Sequence, residues 1–225
     1  MSILRRLAAE MLGSALLLAA IIGSGIMGEQ LAGGNIAIAL LANTVSTGAA
    51  LLVLILVFGP ISGAHFNPCV SLISVWQKTL PWRESLLYIP AQIIGGFIGV
   101  ASAHVMFNLP LFSLSTHQRS GLSQCWSEFV ATFGLILVIN ACQKNHVKWI
   151  PVAVAAYIMS AYWFTASTSF ANPAVTLARS LSNTFAGIRF DDVGGFIVAQ
   201  LLGAICANIV FRWMFKVEPD LPSTM

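Results

Sequence analysis

Six long apolar stretches, set apart by charged residues, dominate this chain of 225 residues. They lie near Leu7–Gly28, Ile36–Phe58, Glu84–Phe107, Ser123–Cys142, Trp149–Thr168 and Val193–Phe215. Each is long enough to cross about 30 Å of hydrocarbon as an α-helix. A lipid interior favours that state, because backbone N–H and C=O groups there must be satisfied within the segment. The expected fold class is an all-α membrane protein. Charge content agrees: 8% of the residues are charged, against about a quarter in soluble domains. Residues 1–225 are expected to form a single membrane domain, with no room for a soluble module. The start, MSILRRLAAEMLGSALLLAAIIGSGIMG, is basic and then apolar like a signal peptide. The run is long and five spans follow, so it reads as a retained first helix.

Two further apolar segments, Asn67 to about Gln77 and Asn172 to about Asn183, are too short to span and read as re-entrant. The chain also repeats itself. Ala9-Glu10 matches Ser127-Glu128, HFNPCVSL (His65–Leu72) matches FANPAVTL (Phe170–Leu177), and AQIIGG (Ala91–Gly96) matches AQLLGA (Ala199–Ala204). The separations are 118, 105 and 108, in the same order within each half. Repeat one covers about 5–108 and repeat two about 122–216. Three spans per half is an odd number, so the halves must lie inverted, with passage at the midplane on broken helices. Six spans put Arg5, Arg6, Lys78, Arg83, Lys144, Lys148, Arg212 and Lys216 on the side of the termini, and Arg119, Arg179 and Arg189 on the other. The excess predicts cytoplasmic termini.

Asn67-Pro68 and Asn172-Pro173 carry the functional signal. Asn is a strong N-cap residue and Pro suits the first helical position, so each pair starts a helix in the middle of an apolar region. The first N–H groups of such a helix lack partners and must face a wet cavity. Two starts related by inversion face each other, each with about half a positive charge. Cations are repelled there, while neutral molecules with oxygen lone pairs accept hydrogen bonds from the two asparagine amides. The expectation is a pore for small polar neutral solutes.

With these motifs in place, residues 5–216 resemble the aquaporins and aquaglyceroporins, the major intrinsic proteins. The resemblance rests on SGAHFNPC, FANPA, Glu10 and Glu128 in spans one and four, and the AQxxG repeats. It implies six spans with two half-helices (the aquaporin fold), a homotetramer with a pore in each subunit, and energy-independent flux. It also implies that Glu10 and Glu128 brace the re-entrant loops; a buried carboxylate otherwise suggests a proton relay or ion site.

The sequence departs from the family pattern twice. The first motif ends in Cys69 where the family has alanine, and the second in Ala174 as usual. Cys69 reads as a tolerated small residue; the alternative is a thiol activated by the helix N-terminus and open to mercurials. Val175 stands where most members place an arginine. Ungapped spacing carries the remaining filter positions onto Thr47, Ser160 and Ser169, which predicts a wide filter without ring, imidazole or guanidinium. Water, glycerol, urea-like molecules and metalloid hydroxides such as arsenite would pass. The filter resembles those of bacterial aquaporins associated with arsenic resistance, which adds methylated arsenicals and an inner-membrane setting. The alternative functions are a narrow water channel, a coupled secondary transporter and a closed structural pore. Arg179, four residues after Val175, is expected to snorkel to the interface; reaching back to the filter is the other reading.

His65 reads as a loop-packing residue, with a pH-dependent gate as its alternative. His104 reads as a helix contact, and His117 and His146 as loop residues. Gly23, Gly25, Gly28, Gly95, Gly96 and Gly99 permit close helix crossings. Trp76, Trp82, Trp126, Trp149 and Trp213 read as interfacial anchors. Cys69, Cys125, Cys142 and Cys206 lack disulfide or zinc spacing. No metal, cofactor, nucleic-acid partner or enzyme activity is expected.

Overall fold

In the computed structural model, which describes residues 1–215, all the regular structure is helical. The helices are α1 (Ile3–Leu31), α2 (Ile36–Ser62), α3 (Pro68–Trp76), α4 (Trp82–Met106), α5 (Leu122–Asn145), α6 (Ile150–Phe164), α7 (Pro173–Arg179) and α8 (Phe190–Met214). A 3₁₀ turn, Val147–Trp149, leads into α6. Six helical segments are long and apolar enough to cross a membrane; α3 and α7 are the short ones. Lys216 and the end of the second repeat lie outside the described residues.

Local chemistry explains the boundaries. The side chain of Asn35 caps α2, accepting from Ala37 N at 3.1 Å and Ile38 N at 3.3 Å, and Gly63 ends it at φ 91°. That left-handed conformation is open to glycine. Asp191 and Asp192 occupy the first turn of α8, where the helix dipole favours negative charge. The helices at both ends of the chain begin earlier than the hydropathy predicts, at Ile3 and Phe190 rather than Leu7 and Val193, because a helix continues into the interface once its apolar part is formed. Two segments end early. The fifth span stops at Phe164 instead of Thr168, and the second short segment at Arg179 instead of Asn183. Beyond Arg179 the chain turns tightly, with Leu181 N bonded to Ala178 O at 3.1 Å. It then pairs with the connection between α4 and α5 through Ser113 N to Leu181 O (3.0 Å) and Ser115 N to Ser180 O (2.9 Å).

Packing follows the inverted repeat. α1 packs chiefly on α4 and α2, α5 on α8 and α6, and α2 joins α6 between the halves. The two main crossings use equivalent glycines. A Cβ on Gly95 would stand 2.2 Å from Met11 O, and one on Gly203 would stand 2.4 Å from Phe129 O. Backbone is thus in direct contact with backbone, the close approach that small residues allow in membrane helix pairs. Met11 and Phe129 directly follow Glu10 and Glu128, so the crossing also fixes where each carboxylate lies.

Candidate functional site

Each Asn-Pro pair starts its short helix at the centre of the molecule. Asn67 Oδ1 accepts from Cys69 N at 2.9 Å, and Asn172 Oδ1 accepts from Ala174 N at 3.0 Å and Val175 N at 3.2 Å. Pro68 and Pro173 occupy the first helical positions, where a missing N–H costs nothing. The other end of each amide crosses between the halves. Asn67 Nδ2 donates to Ala171 O at 2.8 Å, and Asn172 Nδ2 donates to Phe66 O at 2.7 Å. An amide nitrogen carries two hydrogens, so each asparagine keeps one N–H for the lumen, which both residues line.

The loops leading into α3 and α7 are held from behind by buried carboxylates. Glu10 accepts from Ser62 Oγ (2.6 Å), His65 N (3.0 Å), Phe66 N (2.7 Å) and Gln92 Nε2 (2.8 Å). Glu128 accepts from Phe170 N (2.9 Å), Ala171 N (2.8 Å) and Gln200 Nε2 (2.6 Å). Gln92 also donates to Ser71 Oγ at 3.0 Å, and Gln200 to Thr176 Oγ1 at 2.8 Å. The glutamine of each AQxxG repeat thus ties its carboxylate to the half-helix.

These bonds hold a strained backbone. Ala64 (φ 50°) and Phe66 (φ 49°) have left-handed conformations, as do their equivalents Ser169 (φ 50°) and Ala171 (φ 49°). Such residues cost about 1–3 kcal/mol each and persist where the surroundings over-determine them. Among the described residues, no protein donor reaches the carbonyl oxygens of Gly63, Ala64, His65, Ser169 or Phe170. All five residues line the cavity. Acceptors held in this way replace part of the water shell of a passing solute.

The cavity and the open solvent at its mouths together comprise about 850 Å³ of empty space. It runs from Gln143 and Ile150, on the side of the termini, past both asparagines to Thr47 and Arg179. One wall carries the polar loops. The helical lining is largely apolar, with Leu17, Leu51, Ile55, Leu135, Ile139 and Val154 among others. A solute therefore meets hydrogen-bonding groups chiefly from the loops, with Thr47 and Tyr162 adding hydroxyls from the helices.

Thr47, Ser169, Val175 and His65 line this cavity; Ser160 does not. Ser160 is exposed on the outer surface of α6. The lining residues of α6 are Ile150, Val154, Ile158 and Tyr162, an i, i+4 stripe from which Ser160 is turned away. Counting back from the Asn-Pro motif crosses the non-helical stretch after Phe164, and such a stretch does not preserve helix phase. The stripe itself is visible in the sequence and would have pointed to Tyr162, whose hydroxyl donates to Thr47 Oγ1 at 3.3 Å. The expectation of a wall without an aromatic ring is corrected by Tyr162.

Arg179 also differs from expectation. Instead of snorkelling outward it is 1% exposed and lines the cavity. Its Nε donates to Ala186 O, and its guanidinium carbon lies 3.3 Å from the centroid of the Phe170 ring. Arg119, from the connection between α4 and α5, lies 5.1 Å from the same centroid and donates to Gly187 O (2.9 Å) and Ser167 O (3.1 Å). Burial lowers the Arg119 guanidinium to about 10, still far above neutral pH, so it stays charged. The charge count placed Arg119 on the side away from the termini but gave it no place beside the cavity.

Cys69 is fully buried and absent from the cavity wall, packed with Val70, Ile73, Ala131 and Leu135. His65 Nδ1 lies 3.1 Å from Ser71 Oγ, and its ring meets that of Tyr88 edge-on. His104 bridges Pro110 O (2.7 Å) and Ser182 Oγ (2.8 Å), linking α4 to the chain beyond α7. Among the described residues no cluster of His, Cys, Asp and Glu could hold a metal ion.

Comparison with known proteins places this geometry in a family. The major intrinsic protein family model matches residues 1–162 and 140–223. The chain is 51% identical over 212 residues to aquaglyceroporin AqpS of Rhizobium meliloti (strain 1021), covering 94% of this chain and 91% of that protein. It is 28% identical to aquaporin NIP6-1 of Arabidopsis thaliana, covering 97% and 72%. Its fold matches the X-ray structure of the aquaglyceroporin from Plasmodium falciparum with a TM-score of 0.73 at 21% identity, over 96% and 97% of the two chains.

The chain belongs to the major intrinsic protein family and has the aquaporin fold. It is a membrane channel, not an enzyme.

Proposed function

We propose that this chain forms a passive channel for water and small uncharged solutes with several hydroxyl or amide groups: glycerol, urea-like molecules and metalloid hydroxides such as arsenite, with methylated arsenicals among them. The observation that carries the reading is the pair of opposed, cross-braced asparagines on one cavity that continues past both. Glycerol and a neutral metalloid trihydroxide present the same face, three hydroxyls on a small frame. Both suit a lumen that offers loop acceptors beside a largely apolar helical lining. Val175 leaves room beside the second motif that an arginine would fill.

Cations are excluded first by the two half-helix starts. Each contributes about half a charge. At about 5 Å and an effective dielectric constant of about 20, the pair opposes a monovalent cation by about 3 kcal/mol, roughly a hundredfold. The chain acts as one channel domain in a homotetramer in the bacterial inner membrane, both termini cytoplasmic. The excess of Lys and Arg on the side of the termini supports that orientation.

Stopped-flow light scattering of proteoliposomes with water, glycerol and arsenite in turn tests the reading. Vesicles that respond to water but admit neither glycerol nor arsenite would refute the wide pore. Tyr162 and Arg179 in the wall favour that second reading, a narrow water channel, and the same measurement separates the two.

A further inference from the structure

The side chain of Arg179 takes the second of the two courses open to it, back toward the filter rather than out to the interface. It begins at the last residue of α7, on the side away from the termini. Helical side chains lean toward the N-terminus of their helix, and this one returns along α7 to lie over Phe170 at 3.3 Å. Phe170 precedes the Ala171-Asn172 step, and its ring is itself fixed edge-on by Phe196 at 5.2 Å. The guanidinium is thereby brought from the end of the half-helix back toward its start.

The donors of Arg179 are not all used. Nε is taken by Ala186 O, while Nη1 is buried with no protein partner. A charged donor held in such a position is costly unless something meets it, and this residue borders the lumen beside Val175, Thr47 and Tyr162. Arg119 differs on each count: it is spent on the carbonyls of Gly187 and Ser167, and it is not part of the cavity wall.

We propose that Arg179 is the specificity-determining residue of the outer channel. It supplies both the fixed positive charge that repels protons and metal cations and a hydrogen-bond donor to the hydroxyl of a passing neutral solute. The charge given up at Val175 is carried one turn further along the same half-helix and returned to the lumen by stacking on Phe170. Arg119 is a positioning residue that adds a second positive charge behind the ring. Displacing the guanidinium toward the side leaves the lumen beside Val175 wide while the barrier stays in place. This assignment rests on the channel reading above.

The test uses the full-length protein in proteoliposomes loaded with a pH-sensitive dye, with glycerol swelling measured on the same preparation. Arg179→Gln is expected to raise the proton leak by about tenfold or more, because a full fixed charge outweighs either half-helix start, while glycerol flux rises as bulk is removed. Adding Val175→Arg to Arg179→Gln is expected to restore the barrier and slow glycerol. A native protein that passes no glycerol overturns the solute range proposed above and leaves the leak measurement on Arg179 standing. A glycerol-conducting Arg179→Gln channel as proton-tight as the native one overturns the assignment. If Arg179→Gln does not fold, Phe170→Leu keeps the charge and removes its platform. It is expected to leak, and a proton-tight Phe170→Leu channel that conducts glycerol overturns the assignment equally.

Discussion

Asn67 and Ala171 are 104 residues apart in the chain and joined at 2.8 Å across its centre by a side-chain amide bonded to a backbone carbonyl. The reciprocal bond, Asn172 to Phe66, is 2.7 Å. Each asparagine caps its own half-helix with its oxygen and ties down the opposite loop with its nitrogen, so the two starts are held face to face. Asn172→Asp keeps the capping oxygen and loses the crossing donor, leaving Phe66 O unmet at a cost of about 1–3 kcal/mol. The expected outcome is a lower unfolding temperature in detergent and an increased cation leak from the added negative charge. Unchanged stability and leak would contradict this account of the centre.

Glu10 and Glu128 hold equivalent loops, so their variants should behave alike. Glu10→Ala leaves His65 N and Phe66 N without a carboxylate partner; Glu128→Ala does the same to Phe170 N and Ala171 N. Each orphaned buried N–H costs about 1–3 kcal/mol, and the left-handed residues beside them lose their restraint. Both variants should yield little folded protein by size-exclusion chromatography. A stable, conducting Glu10→Ala protein would show that the loop needs no brace.

Gly203→Ala pushes a methyl group into the carbonyl of Phe129, 2.4 Å from the ideal Cβ. Backbone cannot yield as a side chain would, so α5 and α8 must part, at about 1–3 kcal/mol or more. Gly96→Ala meets the Ala178 methyl at 3.1 Å, with Ala174 O and Leu18 Cγ at ordinary contact distances of 3.7 and 3.8 Å, and its repeat partner at position 204 is already alanine. Thermal unfolding in detergent should rank Gly96→Ala near the native protein and Gly203→Ala well below it.

Tyr162 and Ser160 lie two residues apart and face opposite ways. Tyr162→Ala should raise the glycerol-to-water flux ratio severalfold, because a constriction sets the solute size that passes. Ser160→Ala should leave the ratio at its native value. The reverse ranking in paired swelling assays would mean that α6 turns its other face to the lumen.

Cys69 is sealed in the core behind α3, so a thiol-directed reagent added to folded protein should not reach it through the lumen. Cys69→Ala is expected to show the same response to mercurials as the native channel. Loss of block in that variant alone would mean that the core opens on the time scale of the reaction.

The sequence by itself determined the membrane setting, the number of spans, the two half-helices and the inverted repeat. Each follows from short-range chemistry: apolar length against bilayer thickness, an Asn-Pro helix start, and recurrence of the same words at matched distances. Glu10 and Glu128 were legible for the same reason, as lone charges in apolar helices. What the tertiary structure alone decided are the outer wall and the reach of its side chains. Ser160 and Tyr162 differ by helix phase across an irregular segment, and local spacing does not transmit phase. Arg179 turns inward because Phe170 and Ala186, contributed by loops on either side of α7, receive it there. Arg119 joins them from a connection that the sequence placed on the outer side but not against Phe170. Partners of that kind exist only once the chain has folded back upon itself.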